Sequence, residues 1–492
     1  NNGLIHVTRD EGKTWTDVSI ADLPNPRRAN ISGIEASHVN AGEAYVAVEF
    51  QRLGDFAPYI YRTRDFGKTW TKIVDGLPVK EPAGSVTRVV REDPKRAGLL
   101  FAGTETGVQV SFDDGDHWQS LALNLPNTSY RDLTIAGNDL IAGSYGRGIW
   151  VLDDISPLRQ LTPVVASASV HLFAPGTAIR TRRNVNADTP LPPEIPHAKN
   201  PPNGAIIYYA LARTPSGEVT IDISDAAGKP VRHLSSVPAA PVAEAARPPH
   251  PNWWVAEPQR IPTAVGLNRA TWDFRHDPPA VTAHSFEINA NPGETPASPE
   301  GILAAPGRYT VTLTVDGTRY SQPLTVTNDP RSPATATAVI AQHTLLVGIN
   351  DGITLAARAA TQVAELRSAV SAAATAGAPE VTSAITAFSA KLDSVSGASD
   401  GRGGRGGGSG ANPTFSAVNG AFAAQLTTQE NADHAPTASS QAAFAATCKD
   451  LTTVLALWAR IASKDLTALN AVLTTHGRPA ISAPKVAPAP HC

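Results

Sequence analysis

The pattern of apolar and polar positions divides the chain into three regimes. Up to residue 155 the apolar residues fall in short runs broken by Gly, Pro and Asp: Leu4–Val7, Ile31–Ala36, Ala44–Val48, Tyr59–Arg62, Val86–Arg91, Leu99–Gly103, Val108–Val110, Trp118–Ala122, Arg131–Ile135, Asp139–Gly143 and Ile149–Leu152. Runs of that length and punctuation predict strands. Residues 156–166 read as a linker. From 167 to 330 strands are again predicted, at Ala205–Ala212, Val219–Ile223, Leu267–Phe274, Tyr309–Val315 and Tyr320–Val326. Asp316-Gly317 joins the last two, a strong hairpin signal. Two Pro-rich insertions, near 236–263 and 275–305, interrupt this part. Beyond 331 the period becomes helical, with Leu346, Ile349, Ile353, Ala356, Ala360, Val363, Leu366 and Val370 on one stripe. Ser332-Pro333 reads as its N-cap and first helical residue. Further helices are predicted up to Val395, over Phe415–Leu426, and from Leu451 to Leu473, with a Gly-rich loop at 397–410. Residues 331–478 therefore predict an antiparallel bundle, and 479–492 a tail.

Within the first regime one octet recurs. It stands at Thr8–Trp15 and Thr63–Trp70, and in degraded form at Ser111–Trp118. The pattern is Ser/Thr-x-Asp-x-Gly-x-Thr/His-Trp. The Asp carboxylate can accept hydrogen bonds from its own turn. The Gly can take the positive φ of a tight turn. The Trp opens the return strand and is expected to bury a large surface. Trp15 and Trp70 lie 55 residues apart, as do Ile31 and Val86, which suggests a fixed period.

The octets resemble the Asp-box, or BNR, repeat of sialidase-like, xyloglucanase-like and sortilin-like β-propellers. That resemblance implies propeller blades over 1–155, while the strands and turns of 167–330 themselves suggest an immunoglobulin- or fibronectin-like β-sandwich. The first blade lacks inner strands and the last lacks its octet. About two blades are then complete and two partial, too few to close a ring of four to eight. The remaining blades are expected from upstream sequence of the same polypeptide or from a partner chain. The whole order is similar to bacterial secreted proteins labelled glycosyl hydrolase or sortilin-like, which implies a secreted or periplasmic location.

Composition narrows the functional classes. The chain has 492 residues, enough for about three domains. It is 42% hydrophobic and 17% charged, with 41 Pro and 38 Gly, which favours β-structure with many turns. A net charge of −3 gives no electrostatic case for nucleic acid. No apolar run reaches the length of a spanning helix. With no Met, and with Asn1 inside a repeat, the chain reads as a piece of a longer polypeptide. Cys448 and Cys492 allow one bridge, or two separate thiols.

The octet carboxylates Asp10, Asp65 and Asp113 are expected to be structural, together with Gly12, Gly67, Gly115, Trp15, Trp70 and Trp118. Candidate ligand residues lie on predicted inner strands: Arg88, Arg91, Arg131 and Asp132. Arg88 and Arg131 occupy matching repeat positions, and a guanidinium fork suits a carboxylate ligand. The competing reading makes them strand-end salt bridges. Tyr145 and Arg147 sit in the last turn. Asp55, Asp93 and Asp132 are possible catalytic acids by position alone. Trp253 and Trp254 could stack on a sugar or hold a partner. The histidines show no metal-ligand spacing, and no metal or other cofactor is expected. The favoured function is a binding or scaffold module for a protein or glycan. The alternative is a propeller-type glycoside hydrolase whose other blades lie upstream.

Overall fold

A computed structural model describes residues 2–79, 86–182, 194–195, 201–237, 251–286, 293–374, 378–397 and 413–488. The chain is mainly β with helices, and divides into two compact units, Asn1–Ala168 and Ser169–Cys492.

The first unit contains four antiparallel sheets taken up in chain order. The first pairs β1 (His6–Val7) with β2 (Thr16–Asp17). The second is a meander of β3 (Asn30–Ala36), β4 (Ala44–Glu49), β5 (Ile60–Thr63) and β6 (Thr71–Lys72). The third repeats it with β7 (Thr87–Glu92), β8 (Leu100–Thr104), β9 (Val108–Ser111) and β10 (Gln119–Ser120). The fourth has three strands, β11 (Tyr130–Ala136), β12 (Asp139–Ser144) and β13 (Ile149–Leu152). The second sheet is buried on both faces. Val46 and Val48 of β4 enter one core with Ile5 and Ile20, while Tyr45 and Ala47 enter another with Val90, Leu100 and Trp118. Period-two alternation with both faces apolar yields this interleaving.

The first strands of the second, third and fourth sheets each skip register by one residue at the same step, leaving Ser32, Arg88 and Arg131 as bulges. A bulge takes its side chain out of the normal alternation. Gly33 and Val89 are therefore structurally equivalent, 56 residues apart. The second and third octets begin only 48 residues apart, at Thr63 and Ser111. The fixed period of 55 fails because the connection after β4 is much longer than the short turn after β8.

The octet turns show why the motif is what it is. Glu11, Phe66 and Asp114 adopt φ of 58°, 60° and 65°, and the following Gly12, Gly67 and Gly115 adopt 88°, 81° and 86°. At Gly67 and Gly115 close approach adds to the requirement. A Cβ there would lie 2.7 Å from Val18 and 2.4 Å from Ile73.

The segment read as a linker forms two short helices, α1 (Ser156–Gln160) and α2 (Pro163–Ser167). Arg159 of α1 pairs with the fully buried Asp93, which ties this segment to the third sheet.

In the second unit a three-stranded sheet combines β14 (Val170–Leu172), β16 (Ala205–Leu211) and β19 (Gly266–Trp272). A five-stranded sheet has the order β15 (Ala178–Arg180), β21 (Thr318–Asn328), β20 (Gly307–Val315), β17 (Thr220–Asp225) and β18 (Pro230–Ser235). Both contribute to one core, in which Trp272 packs edge-on against Phe274 and Tyr309. The Asp316-Gly317 turn has φ of 47° and 79°, as a two-residue hairpin requires.

The helices are α3 (Ala336–Ala372), α4 (Pro379–Ser396), α5 (Phe415–Gln429), α6 (Ala438–Arg460) and α7 (Leu466–Thr475), and a π-turn at Ile461–Asp465 joins the last two. The α3 cap is Thr335, whose hydroxyl accepts the Ala338 N–H, rather than Ser332. Ser332 instead closes a turn on Asp329. Cys448 is buried on α6 and disulfide-bonded. Cys492, most of the 397–410 loop and part of the first Pro-rich insertion lie outside the described residues. The tail is not free up to Val486: Ile481 and Val486 pack on the helical core.

Candidate functional site

The bulges place Ser32, Arg88 and Arg131 beside the turns that follow each second strand. Counting from the bulges, the first residue past each second strand's common register is Glu49, Glu105 or Tyr145. Those equivalences decide the fate of the two arginines.

Arg88 is only 8% exposed. Its guanidinium pairs with both Glu49 and Glu105 and donates to Gln51 Oε1. Asn30 donates to Glu49 at 2.5 Å and Ser129 to Glu105 at 3.1 Å. The sequence reading of Arg88 as a ligand residue is therefore corrected: two carboxylates already occupy its fork. Glu49, Gln51 and Glu105 went unnoticed in the sequence. Their signal was the matched position of the two glutamates, hidden by the unequal spacing of the repeats.

Arg131 is placed differently. Its partner position holds Tyr145, so its guanidinium lies 4.3 Å over an aromatic ring and not against a carboxylate. Among the described residues no acid pairs with Arg131 or Arg147. Tyr145 is 66% exposed. Its backbone is fixed, since its N–H donates to Ser129 O at 2.8 Å and its carbonyl accepts from Thr128 Oγ1 at 3.0 Å. The Arg147 carbonyl accepts from Trp150 Nε1 at 3.0 Å. The turn is thus held while Arg131, Tyr145 and Arg147 remain open to solvent.

The other acids have structural partners. Arg91 bridges Leu133 O, Asp132 and Glu35, tying three sheets together. Asp55 accepts from Ala57 N and Tyr59 Oη. Asp93 accepts from Lys95 N, Arg96 N and Arg159. A cavity of about 540 Å³ opens on the octet side, lined by residues that include Glu43, Arg64, Asp113 and Asp114. Arg64 pairs with both Glu43 and Asp114, so this cavity is a cross-sheet ionic contact.

The octet carboxylates are turn caps. Asp65 accepts the Thr69 N–H at 2.9 Å and the Thr69 hydroxyl at 2.7 Å, and Asp10 and Asp113 repeat the backbone bond. Hydrogen bonds from Thr69 hold the Asp65 carboxyl down at about 2. A carboxyl depressed in the folded state stabilises above its unfolded value and loses that effect as pH falls through the folded one. Asp65→Ala should lower the melting temperature at pH 7, and the difference from wild type should shrink from pH 4 towards 2. A constant difference across that range, measured by calorimetry, would count against a capping role.

The octet tryptophans are unequal. Trp118 is 4% exposed and Trp70 half-buried, but Trp15 is 61% exposed, against the expectation that all three are buried. In the second unit, Trp253 and Trp254 stack at 5.0 Å, with Trp253 exposed and Trp254 half-buried. Among the described residues, no cluster of His, Cys, Asp or Glu is placed to hold a metal, and no helix is long and apolar enough to cross a membrane.

No family model matches the chain, and no curated protein matches it. Solved structures give faint likenesses. The GH74 enzyme of Niastella koreensis superposes at a TM-score of 0.21 and 14% identity, over 42% of this chain and 30% of that one. The GH74 xyloglucanase of Xanthomonas campestris gives 0.23 and 15%, over 70% and 46%. An ancestral GH74 enzyme gives 0.25 and 13%, over 66% and 38%. The chain spans less than half the length of each of these proteins.

Proposed function

We propose that the first unit is a binding module for an anionic glycan, contacted by Arg131, Tyr145 and Arg147. The observation that carries this reading is the exchange of a glutamate for Tyr145 at the position facing the bulge arginine. The fork of Arg131 is left for an external carboxylate, which it suits bidentately. The Tyr145 ring offers an apolar face to a sugar. A secreted or periplasmic location fits such a ligand.

Hydrolysis is the second reading. It needs an acid and a base or nucleophile held roughly 5–9.5 Å apart across the bond. Glu49 and Glu105 converge on this side of the unit, but both are held by Arg88, so binding is placed ahead of hydrolysis. The test is calorimetric titration with trigalacturonate, with sialyllactose and with a neutral xyloglucan oligosaccharide. The acidic sugars should bind, and Arg131→Ala should weaken them about tenfold or more, the size of one lost charge-assisted bond. Equal binding of the neutral sugar, or sugar release by this chain, would reverse the ranking.

A further inference from the structure

The Trp253–Trp254 pair belongs to neither the octets nor the sandwich core. It sits in a single 3-10 turn, Asn252–Trp254. Trp254 N–H donates to Pro251 O at 3.1 Å, Thr295 N–H to Trp254 O at 3.0 Å, and Ala256 N–H to Thr295 O at 2.8 Å. Thr295 is fully buried, so the turn is fastened to the interior of its unit. Further on, Gln259 Nε2 donates to Thr271 O at 2.7 Å and Ile261 N–H to Ser235 O at 3.1 Å. These bonds tie the segment to β19 and β18.

The side chains on this fixed turn lie face to face. The indole rings stack with centroids 5.0 Å apart and planes 27° from parallel. Trp254 is half-buried and forms the footing, while Trp253 is 61% exposed. One face of Trp253 is therefore covered by its neighbour and the other meets water. An unrestrained indole gains by folding back onto apolar surface. Here the backbone bonds and the stack hold it out. The ring is ordered before any ligand arrives, which lowers the entropic cost of binding. Neither indole N–H has an acceptor among the described residues.

The surroundings decide the class of occupant. The exposed residues that follow include Glu257, Gln259 and Arg260, with both signs of charge. A stable protein interface needs roughly 800 Å² per partner around an apolar centre, and the polar chain beside this pair does not extend its apolar face. A single flat ring with polar neighbours instead matches a sugar ring, which has an apolar face of axial hydrogens and a rim of hydrogen-bonding groups. The balanced charge gives no selection for an acidic sugar. The unmet indole N–H adds a requirement for an acceptor beside the apolar face. An amide carbonyl meets it better than a hydroxyl, because resonance places more negative charge on its oxygen.

We propose that the exposed face of Trp253 binds a neutral glycan built of N-acetylglucosamine. The pyranose face stacks on the indole, and the acetamido carbonyl accepts the Trp253 N–H. This inference rests on the second unit alone and is independent of the anionic ligand proposed for the first.

The test is isothermal titration of the full chain with chitohexaose and with cellohexaose, which lacks the acetamido groups. Chitohexaose should bind at least about fivefold tighter, the factor expected for one hydrogen bond. Trp253→Ala should weaken it at least about tenfold, through loss of both the stack and the donor. Trp253→Phe keeps an aromatic face without the N–H, so it should bind the two sugars alike. Trp253 is outside the core, so both variants should keep the wild-type melting temperature. Arg131→Ala should leave both affinities unchanged, which separates this site from the anionic one. Chitohexaose binding that survives Trp253→Ala, or that is lost in Arg131→Ala instead, overturns the proposal. So does a wild-type chain that binds the two sugars alike, prefers cellohexaose, or takes up neither. Self-association of the wild-type chain in sedimentation, abolished by Trp253→Ala, also overturns it, since the ring is then a protein contact.

Discussion

Trp118→Ala lowers the stability of the first unit by about 3–5 kcal/mol, the usual cost of removing a buried aromatic side chain, whereas Trp15→Ala changes it by less than about 0.5 kcal/mol. The two residues occupy the same octet position, so propensity and turn geometry cancel in the comparison. What differs is the neighbour. Trp118 sits in the core formed by Tyr45, Ile60, Ile73 and Leu100 and donates to Ile73 O. Its loss opens a cavity and leaves a buried carbonyl without its donor. Trp15 is largely in solvent and bonds only to its own turn. Trp70→Ala should fall between them. Peptide-resolved hydrogen exchange on the intact chain reads the first unit separately, which matters because a chain of two units need not unfold in one step. Equal losses for Trp15 and Trp118 would show that the neighbouring sheet does not decide what this octet position contributes.

Local chemistry was legible where it is self-contained. The octet turn closes on its own Asp, Thr and Gly, so its geometry follows from eight residues. The Asp316-Gly317 hairpin does the same, with Val315 opposite Thr318. The helical stripe from Leu346 to Val370 was legible because 3.6-residue spacing needs no partner to be seen. Contacts between sheets were not. Arg88 looked available because Glu49 and Glu105 lie 39 and 17 residues away in sequence, and the bulge that joins them is a one-residue shift no composition reveals. Trp15 looked buried because its octet matches the others, yet burial is conferred by the preceding sheet. Asp93 looked like a candidate acid, and its partner Arg159 lies 66 residues on, in a segment that reads as a linker. In each case the deciding residue sits on another strand, sheet or helix, where local pattern carries no information.

The second unit should lose stability in two acid steps, because its sheets and helices meet through titratable groups. Arg180, 2% exposed, and Arg182 of the β15 segment both pair with Asp433 in the loop after α5. Glu430 in the same loop accepts from Leu303 N–H and Arg275. His276 packs at 5.3 Å from His343 of α3, and His343 bonds to Leu303 O. Burial, then the neighbouring His343 and Lys229, push His276 down from 6.5 to about 4, with Asp225 opposing. The unfolded chain therefore binds a proton that the folded chain refuses between those values. Stability from this group is complete above pH 6.5 and is lost as pH falls to 4, by roughly 3 kcal/mol for a shift of that size. Burial raises the Asp433 carboxyl, but hydrogen bonds from Arg182 and Arg180 outweigh it and hold the group below its ordinary value. Its contribution is present above the unfolded value near 3.8 and disappears below it, a second step at lower pH. His276→Phe should reduce the first step and leave the second, the remainder of the first coming from His343, which burial also pushes down. Asp433→Ala should cost about 3–5 kcal/mol at pH 7, because it strands a buried guanidinium, and should erase the second step. Hydrogen exchange of residues 169–488 as a function of pH measures both. A stability that is flat from pH 6.5 to 4 in the wild-type chain would show that His276 protonates without cost, and that the junction is not acid-sensitive.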